Sequence, residues 1–152
     1  MNLINILNKY PKSEDSLIQI LLEFQASKKT HFVSEEELIR IASYIGVSES
    51  KVCSVMSFYT LLSTTPRGKH IIEVCVCVPC YVNDSTNVLE RIERELGIKV
   101  RETTRDKEFT LEFSSCIGCC NESPAMRIDD KTYTALTPEK ISKILSTVRG
   151  SK

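Results

Sequence analysis

Apolar residues recur at helical spacing through the first third of the chain. Leu17, Ile18, Leu21, Leu22 and Phe24 form one broad stripe, with Ser13 placed before them as a cap. Ser34-Glu35-Glu36-Glu37 reads as a capping box. The Ser34 hydroxyl accepts a backbone N–H in the first turn, and the Glu37 carboxylate reaches back to the cap. The helix it opens turns Leu38, Ile41 and Ala42 inward and should stop at Gly46, which tolerates a left-handed backbone. Ser48 caps a third helix through Val52, Val55 and Met56, continued by the apolar run Phe58-Tyr59-Thr60-Leu61-Leu62. Cys53 lies on that helix and reads as a small buried hydrophobe. Phe58 and Tyr59 read as core.

A composition break follows at Thr64-Thr65-Pro66-Arg67-Gly68-Lys69, where Pro and Gly two apart mark a turn. It predicts a helical N-terminal region over 1–66 and a second domain over 67–152. The periodicity then changes. His70-Ile71-Ile72-Glu73-Val74-Cys75-Val76 is short and β-branched, hence a strand. Asn83, Asp84 or Ser85 caps a helix through Val88, Leu89, Ile92 and Leu96 that ends at Gly97. Ile98-Lys99-Val100 reads as a second strand. Phe109-Thr110-Leu111-Glu112-Phe113 alternates with period two and reads as a half-buried third. Asp129-Asp130-Lys131 joins two short arms of a hairpin. Thr137 and Pro138 open a closing helix that buries Ile141, Ile144, Leu145 and Val148. The fold class is α+β, and the order β-α-β, then β-β-α, is thioredoxin-like.

Composition narrows the function. The 152 residues carry a formal net charge of zero, so no global field attracts nucleic acid or an anionic membrane. No apolar run approaches a bilayer span, which argues against membrane insertion. The N-terminal stretch MNLINILNKYPKSEDS lacks a basic start and a cleavage site, so it does not read as a signal peptide. A cytoplasmic protein with reduced thiols is expected. Six of the seven cysteines fall in two short stretches, VCVCVPCY (Cys75, Cys77, Cys80) and SSCIGCCN (Cys116, Cys119, Cys120). Clusters of this kind in a reducing compartment point to metal binding or redox chemistry. His31 and His70 read as structural, since a Rieske-type centre needs two histidines beside cysteines. Lys28 and Lys29 read as a solvated face, and Asp129-Asp130 as a turn.

Spacing leaves three chemistries open. Cys77-x2-Cys80 with Cys116-x2-Cys119 supplies four thiolates for tetrahedral zinc, in a zinc-stabilised interaction module. Cys77-Val78-Pro79-Cys80, between a strand and a helix, looks like the dithiol of a thioredoxin-type oxidoreductase. Cys75-x4-Cys80 with Cys116-x3-Cys120 supplies two thiolates to each iron of a [2Fe-2S] cluster. No acidic residue stands between Cys116 and Cys120, and Gly118 gives that loop freedom.

Four blocks in order carry a resemblance. They are EEELIRIASYIGVSESKVCSVMSFYT, GKHIIEVCVCVPC, ERELGIKVRETTRDKEFTLEFSSCIGCC and SPAMRIDDKTYTALTPEKI. From about Ser34 to Ser146 the sequence resembles the thioredoxin-like [2Fe-2S] ferredoxin family. That family includes the 24-kDa subunit of respiratory NADH dehydrogenase and the small subunits of NAD(P)-linked hydrogenases and formate dehydrogenases. The resemblance implies Cys75, Cys80, Cys116 and Cys120 as cluster ligands, with Cys77 and Cys119 as bystanders. It implies a non-catalytic electron-transfer subunit of an NAD(P)H-linked oxidoreductase. It also implies a flavoprotein partner with FMN, a nucleotide site and its own iron–sulfur cluster, docked on the helical N-terminal region. Consistent with this, no G-x-G-x-x-G fingerprint is present, so nucleotide must bind elsewhere. Two departures stand out. Arg101 occupies a position where the family has glycine, and Tyr81-Val82-Asn83-Asp84 lacks the glycine that follows the second ligand.

Overall fold

The structure is a computed structural model that describes residues 3–150. The chain divides into two compact units, Met1–Arg67 and Gly68–Lys152.

The first unit is helical. Its helices are α1 (Leu3–Leu7), α2 (Leu17–Ala26), α3 (Glu35–Ile45) and α4 (Glu49–Phe58). Leu17, Ile20, Leu21 and Phe24 of α2 pack with Ile41 and Ala42 of α3 and Val52 and Met56 of α4. The α3 capping box is complete, and Gly46 closes the helix at φ 85°. Lys28 is not on a solvated face: its ammonium pairs with the Glu37 carboxylate at 2.7 Å and lies over the Phe32 ring. The pair helps hold Glu37 below the usual carboxylate range against the opposing effect of burial. Gln25 is buried, donating to the Leu61 carbonyl at 2.8 Å and accepting from the Ser63 N–H at 2.7 Å. It thereby ties the segment after α4 to α2.

Other expectations for this unit change as well. Ser13 caps a single 3-10 turn, Glu14–Ser16, and α2 begins only at Leu17. The apolar start of the chain forms α1, which buries Leu3, Ile6 and Leu7. Cys53 is exposed. Helix α4 buries Val52 and Met56, one turn apart, and a residue next to an inward position is rotated about 100° off that face. The helix also ends at Phe58, because Tyr59 takes an extended backbone at φ −90°, ψ 111°. Phe58 is therefore 76% exposed and Tyr59 38%, while the buried anchor of the segment is Leu62.

The second unit is a four-stranded mixed sheet with helices. Its elements are β1 (His70–Cys75), α5 (Val78–Val82), α6 (Ser85–Leu96), β2 (Phe109–Ser114), β3 (Met126–Ile128), β4 (Lys131–Tyr133) and α7 (Pro138–Gly150). Strand order is β2-β1-β3-β4; β1 runs parallel to β2 and antiparallel to β3. The α5–α6 crossover makes the parallel pair possible. Ile72, Val74, Phe109, Leu111 and Met126 from the sheet pack with Val88 and Ile92 of α6 and Ile141 and Leu145 of α7. Asp129 turns the β3–β4 hairpin at φ 52° and accepts from the Ile71 N–H at 2.9 Å; its second carboxylate oxygen lies 2.6 Å from His70 Nδ1. His70 is thus a sheet-pinning residue. Gly68 is demanded by packing: a Cβ there would lie 2.7 Å from the Phe109 carbonyl carbon.

The expected strand at Ile98-Lys99-Val100 is absent. Gly97 ends α6 at φ 67°, and the Glu93 carboxylate accepts from the Val100 N–H at 3.3 Å, curling the segment into a turn. Residues 101–104 lie along the free edge of β2 instead. Arg101 N–H donates to the Leu111 carbonyl at 2.7 Å, and Leu111 N–H donates to the Glu102 carbonyl at 3.1 Å. Among the described residues, no helix is long and apolar enough to cross a membrane.

Candidate metal centre

Parallel neighbouring strands end on the same side of a sheet, so the loops that follow them emerge together. Cys75 closes β1 and pairs in register with Ser114, the last residue of β2. The register continues one step: Val76 N–H donates to the Ser114 carbonyl at 3.0 Å. On the other flank, Cys75 N–H donates to the Ala125 carbonyl at 3.1 Å. Two cysteine stretches some forty residues apart are thereby placed side by side.

In the first loop Cys77 precedes α5, and its side chain makes no capping hydrogen bond. The helix carries Cys80 back into a small apolar cluster with Cys75 and Ala125, against which Cys77, Ile117 and Cys119 pack. Asp84 then takes a left-handed backbone at φ 68°, so α6 starts without the predicted side-chain cap. Arg101 is left-handed as well, at φ 69°. Both departures from the family's glycines therefore fall on residues with positive φ. The backbone shape is kept, and a side chain bears the strain.

In the second loop Gly118 is left-handed at φ 89°. A 3-10 turn, Cys120–Glu122, carries the chain on, and the Ser123–Pro124 peptide bond is cis. Asn83 of the first loop donates to the Ser123 hydroxyl at 2.8 Å, linking the two loops.

The thiols form two overlapping groups. Cys75, Cys77 and Cys80 make one, and Cys77, Cys116 and Cys120 the other; within each, all sulfurs lie within 4.8 Å of one another. Cys75 and Cys77 sulfurs are 3.3 Å apart, and those of Cys116 and Cys120 are 3.9 Å apart. The four ligands expected from the resemblance are thus all gathered. Cys77, expected as a bystander, is gathered with them and is the residue common to both groups. Cys119 belongs to neither.

Backbone N–H groups converge on the sulfurs. Cys75 receives those of Cys77 and Ile117, and Cys80 receives that of Ala125. Ile117 and Ala125 were not foreseen from the sequence, because a backbone donor has no residue-type signature. For Cys75, burial disfavours ionisation, but these donors and the neighbouring thiols outweigh it and hold the group below the ordinary thiol value. Burial, aided by Cys75, pushes Cys80 up to about 12. Contact with Cys116 pushes Cys120 up to about 11. Cys77 is raised, mainly by Cys75. A nucleophilic dithiol needs a depressed thiol at a helix start. Cys77 is shifted the other way, and α5 is only five residues long. Cys77 and Cys80 are also not an isolated dithiol, since Cys77 lies within 4.8 Å of the Cys75, Cys116 and Cys120 sulfurs as well.

Among the described residues, the groups able to hold a metal consist of cysteine alone. An all-thiol donor set with N–H groups aimed at sulfur suits an iron–sulfur cluster. The residues fit a [2Fe-2S] group.

Comparison with known proteins agrees. The family profile described as thioredoxin-like [2Fe-2S] ferredoxin matches residues 3–149. A subunit of the NADH-quinone oxidoreductase of Rickettsia bellii (strain RML369-C) is 31% identical over 147 residues, spanning 96% of this chain and 88% of that protein. The mitochondrial NADH dehydrogenase [ubiquinone] flavoprotein 2 of Dictyostelium discoideum is 32% identical over 148 residues, spanning 97% of this chain and 60% of that one. Among solved structures, an NAD+-reducing [NiFe]-hydrogenase in the H2-reduced state shares the fold, with a TM-score of 0.78 at 14% identity. The match covers 93% of this chain and 23% of the hydrogenase chain. In sequence, fold and clustered thiols alike, the chain belongs to the thioredoxin-like [2Fe-2S] ferredoxin family.

Proposed function

We propose that this chain is the electron-transfer subunit of a multisubunit NAD(P)H-linked oxidoreductase, works in the cytoplasm and exchanges electrons with a flavoprotein partner. Cys75, Cys80, Cys116 and Cys120 are its cluster ligands. The observation that carries the reading is the thiol assembly, built from two strand ends of a family member and containing sulfur donors only.

When bound, a [2Fe-2S] cluster supplies a one-electron couple, near about −400 mV in plant-type four-cysteine sites. This chain's residues supply the rest. The apolar cluster around Cys75, Cys80 and Ala125 keeps water from one side of the site. The N–H groups of Cys77, Ile117 and Ala125 offset negative charge on sulfur. Cys116 and Cys120 face solvent, which leaves the site a short path to a docked partner. Val78 and Val82, both 75% exposed, and Tyr81, 67% exposed, offer apolar surface on the short helix of the first loop. The hydrogenase and the NADH dehydrogenase relatives support a partner that handles nicotinamide nucleotide.

Anaerobically purified protein should be brown and hold about two irons and two acid-labile sulfides per chain. Cys77→Ser should end with the wild-type visible spectrum, whereas Cys75→Ser should lose or alter it. A colourless, zinc-bearing protein, or the reverse pattern in the two variants, would sink the assignment. Co-purification with a flavin-containing subunit tests the partner.

A further inference from the structure

Cys77 has no structural task that requires sulfur. It precedes α5 without capping it, and the family's C-x4-C spacing leaves its position free. Yet it lies within 4.8 Å of all four ligands and is the residue shared by the two thiol groups. The groups differ in access. Cys75 and Cys80 are each 1% exposed. Cys116 and Cys120 are exposed and Cys77 half-buried. Iron and sulfide arriving from solvent meet the second group first, and that group is one thiol short of a full set. Cys75 stands 3.3 Å behind Cys77, sulfur to sulfur.

We propose that Cys77 is a transit ligand for cluster loading. It holds iron together with Cys116 and Cys120 at the open face, then gives up its place on that iron to incoming sulfide, while Cys75 and Cys80 take the second iron. The exchange is a ligand substitution. The iron–sulfur bond to Cys77 breaks as a bond from the same iron to hydrosulfide forms. The hydrosulfide proton ends on the Cys77 sulfur, and no electron changes hands. Cys119 is the internal control, a neighbouring cysteine outside both groups. The proposal rests on the four-ligand assignment above.

The test uses the full chain stripped of its cluster, its cysteines reduced, and rebuilt anaerobically with ferric iron and sulfide. The growth of visible absorbance is followed, with an iron count at the end. Cys77→Ser should load roughly tenfold more slowly, a barrier rise of about 1.4 kcal/mol, and still reach the wild-type spectrum and iron content. Cys119→Ser should keep the wild-type rate. Cys77→Ala, which leaves no side-chain ligand at all, should be as slow as Cys77→Ser. Equal rates in all four proteins, with normal final spectra, overturn the transit role and leave the four ligands standing. A changed final spectrum in Cys77→Ser makes Cys77 a permanent ligand and overturns both readings.

Discussion

Cys75 and Cys80 are each 1% exposed, whereas Cys116 and Cys120 stand exposed only one strand away. Both loops leave the same end of the sheet, from strands paired in register. The difference lies in which strand each loop follows. β1 is central, so Cys75 is walled by β2 on one side and by the Ala125 segment on the other, and α5 folds Cys80 in behind it. β2 has only the irregular 101–104 segment on its far side, and its loop shapes itself with Gly118 and one 3-10 turn. A binding site can thus be half core and half surface. The core half sets geometry, and the surface half gives access.

Thiol labelling probes this contrast most strongly. In the cluster-free chain at neutral pH, iodoacetamide should modify Cys116 well before Cys80. Raising Cys80 from the ordinary 9.0 to about 12 lowers its thiolate fraction by about a thousandfold, before burial is counted. Because the thiolate is the reactive form, Cys80 labelling should climb as pH rises toward 12. Peptide mapping of the labelled chain reads both, and equal labelling near pH 7 would erase the contrast.

Gly68→Ala asks whether both halves depend on one strand pair. The added methyl meets the Phe109 backbone, so β1 and β2 must shift at a cost of about 1–3 kcal/mol. Urea unfolding should show it, and iron content should fall with it. Full stability in this variant would mean the two strands do not frame the site.

The left-handed residues separate the loops more finely. Gly118→Ala should cost about 1 kcal/mol, since the backbone strain exists even though no atom lies within 4 Å of the new methyl. Asp84→Gly should gain a few tenths, because Asp tolerates this region better than most residues. Asn83→Ala is expected to be smaller still, about 0.5 kcal/mol or less, since its bond to Ser123 is solvent-exposed. Its effect should show as a faster rate of cluster loss on dilution rather than as a change in unfolding midpoint.

Sequence alone determined what depends on residues within a turn of each other. The Ser34–Glu37 capping box, the stops at Gly46 and Gly97 and the Thr137-Pro138 helix start are of this kind, and all are present. The existence of β2 and of the β3–β4 hairpin was legible for the same reason, but the alternation expected in β2 is not seen, since Thr110 is buried and Phe113 exposed. The family blocks added the cluster and its four candidate ligands, which spacing had left level with zinc and a dithiol. Only the tertiary structure decided the rest. Cys53 lies outward because α4 packs through Val52 and Met56. The partner of the β2 edge is the 101–104 segment rather than Ile98-Lys99-Val100, because β2 is an edge strand whose free backbone groups take whatever chain returns beside them. Cys77 sits among all four candidate ligands because strand order, not spacing, sets the distance between loops some forty residues apart.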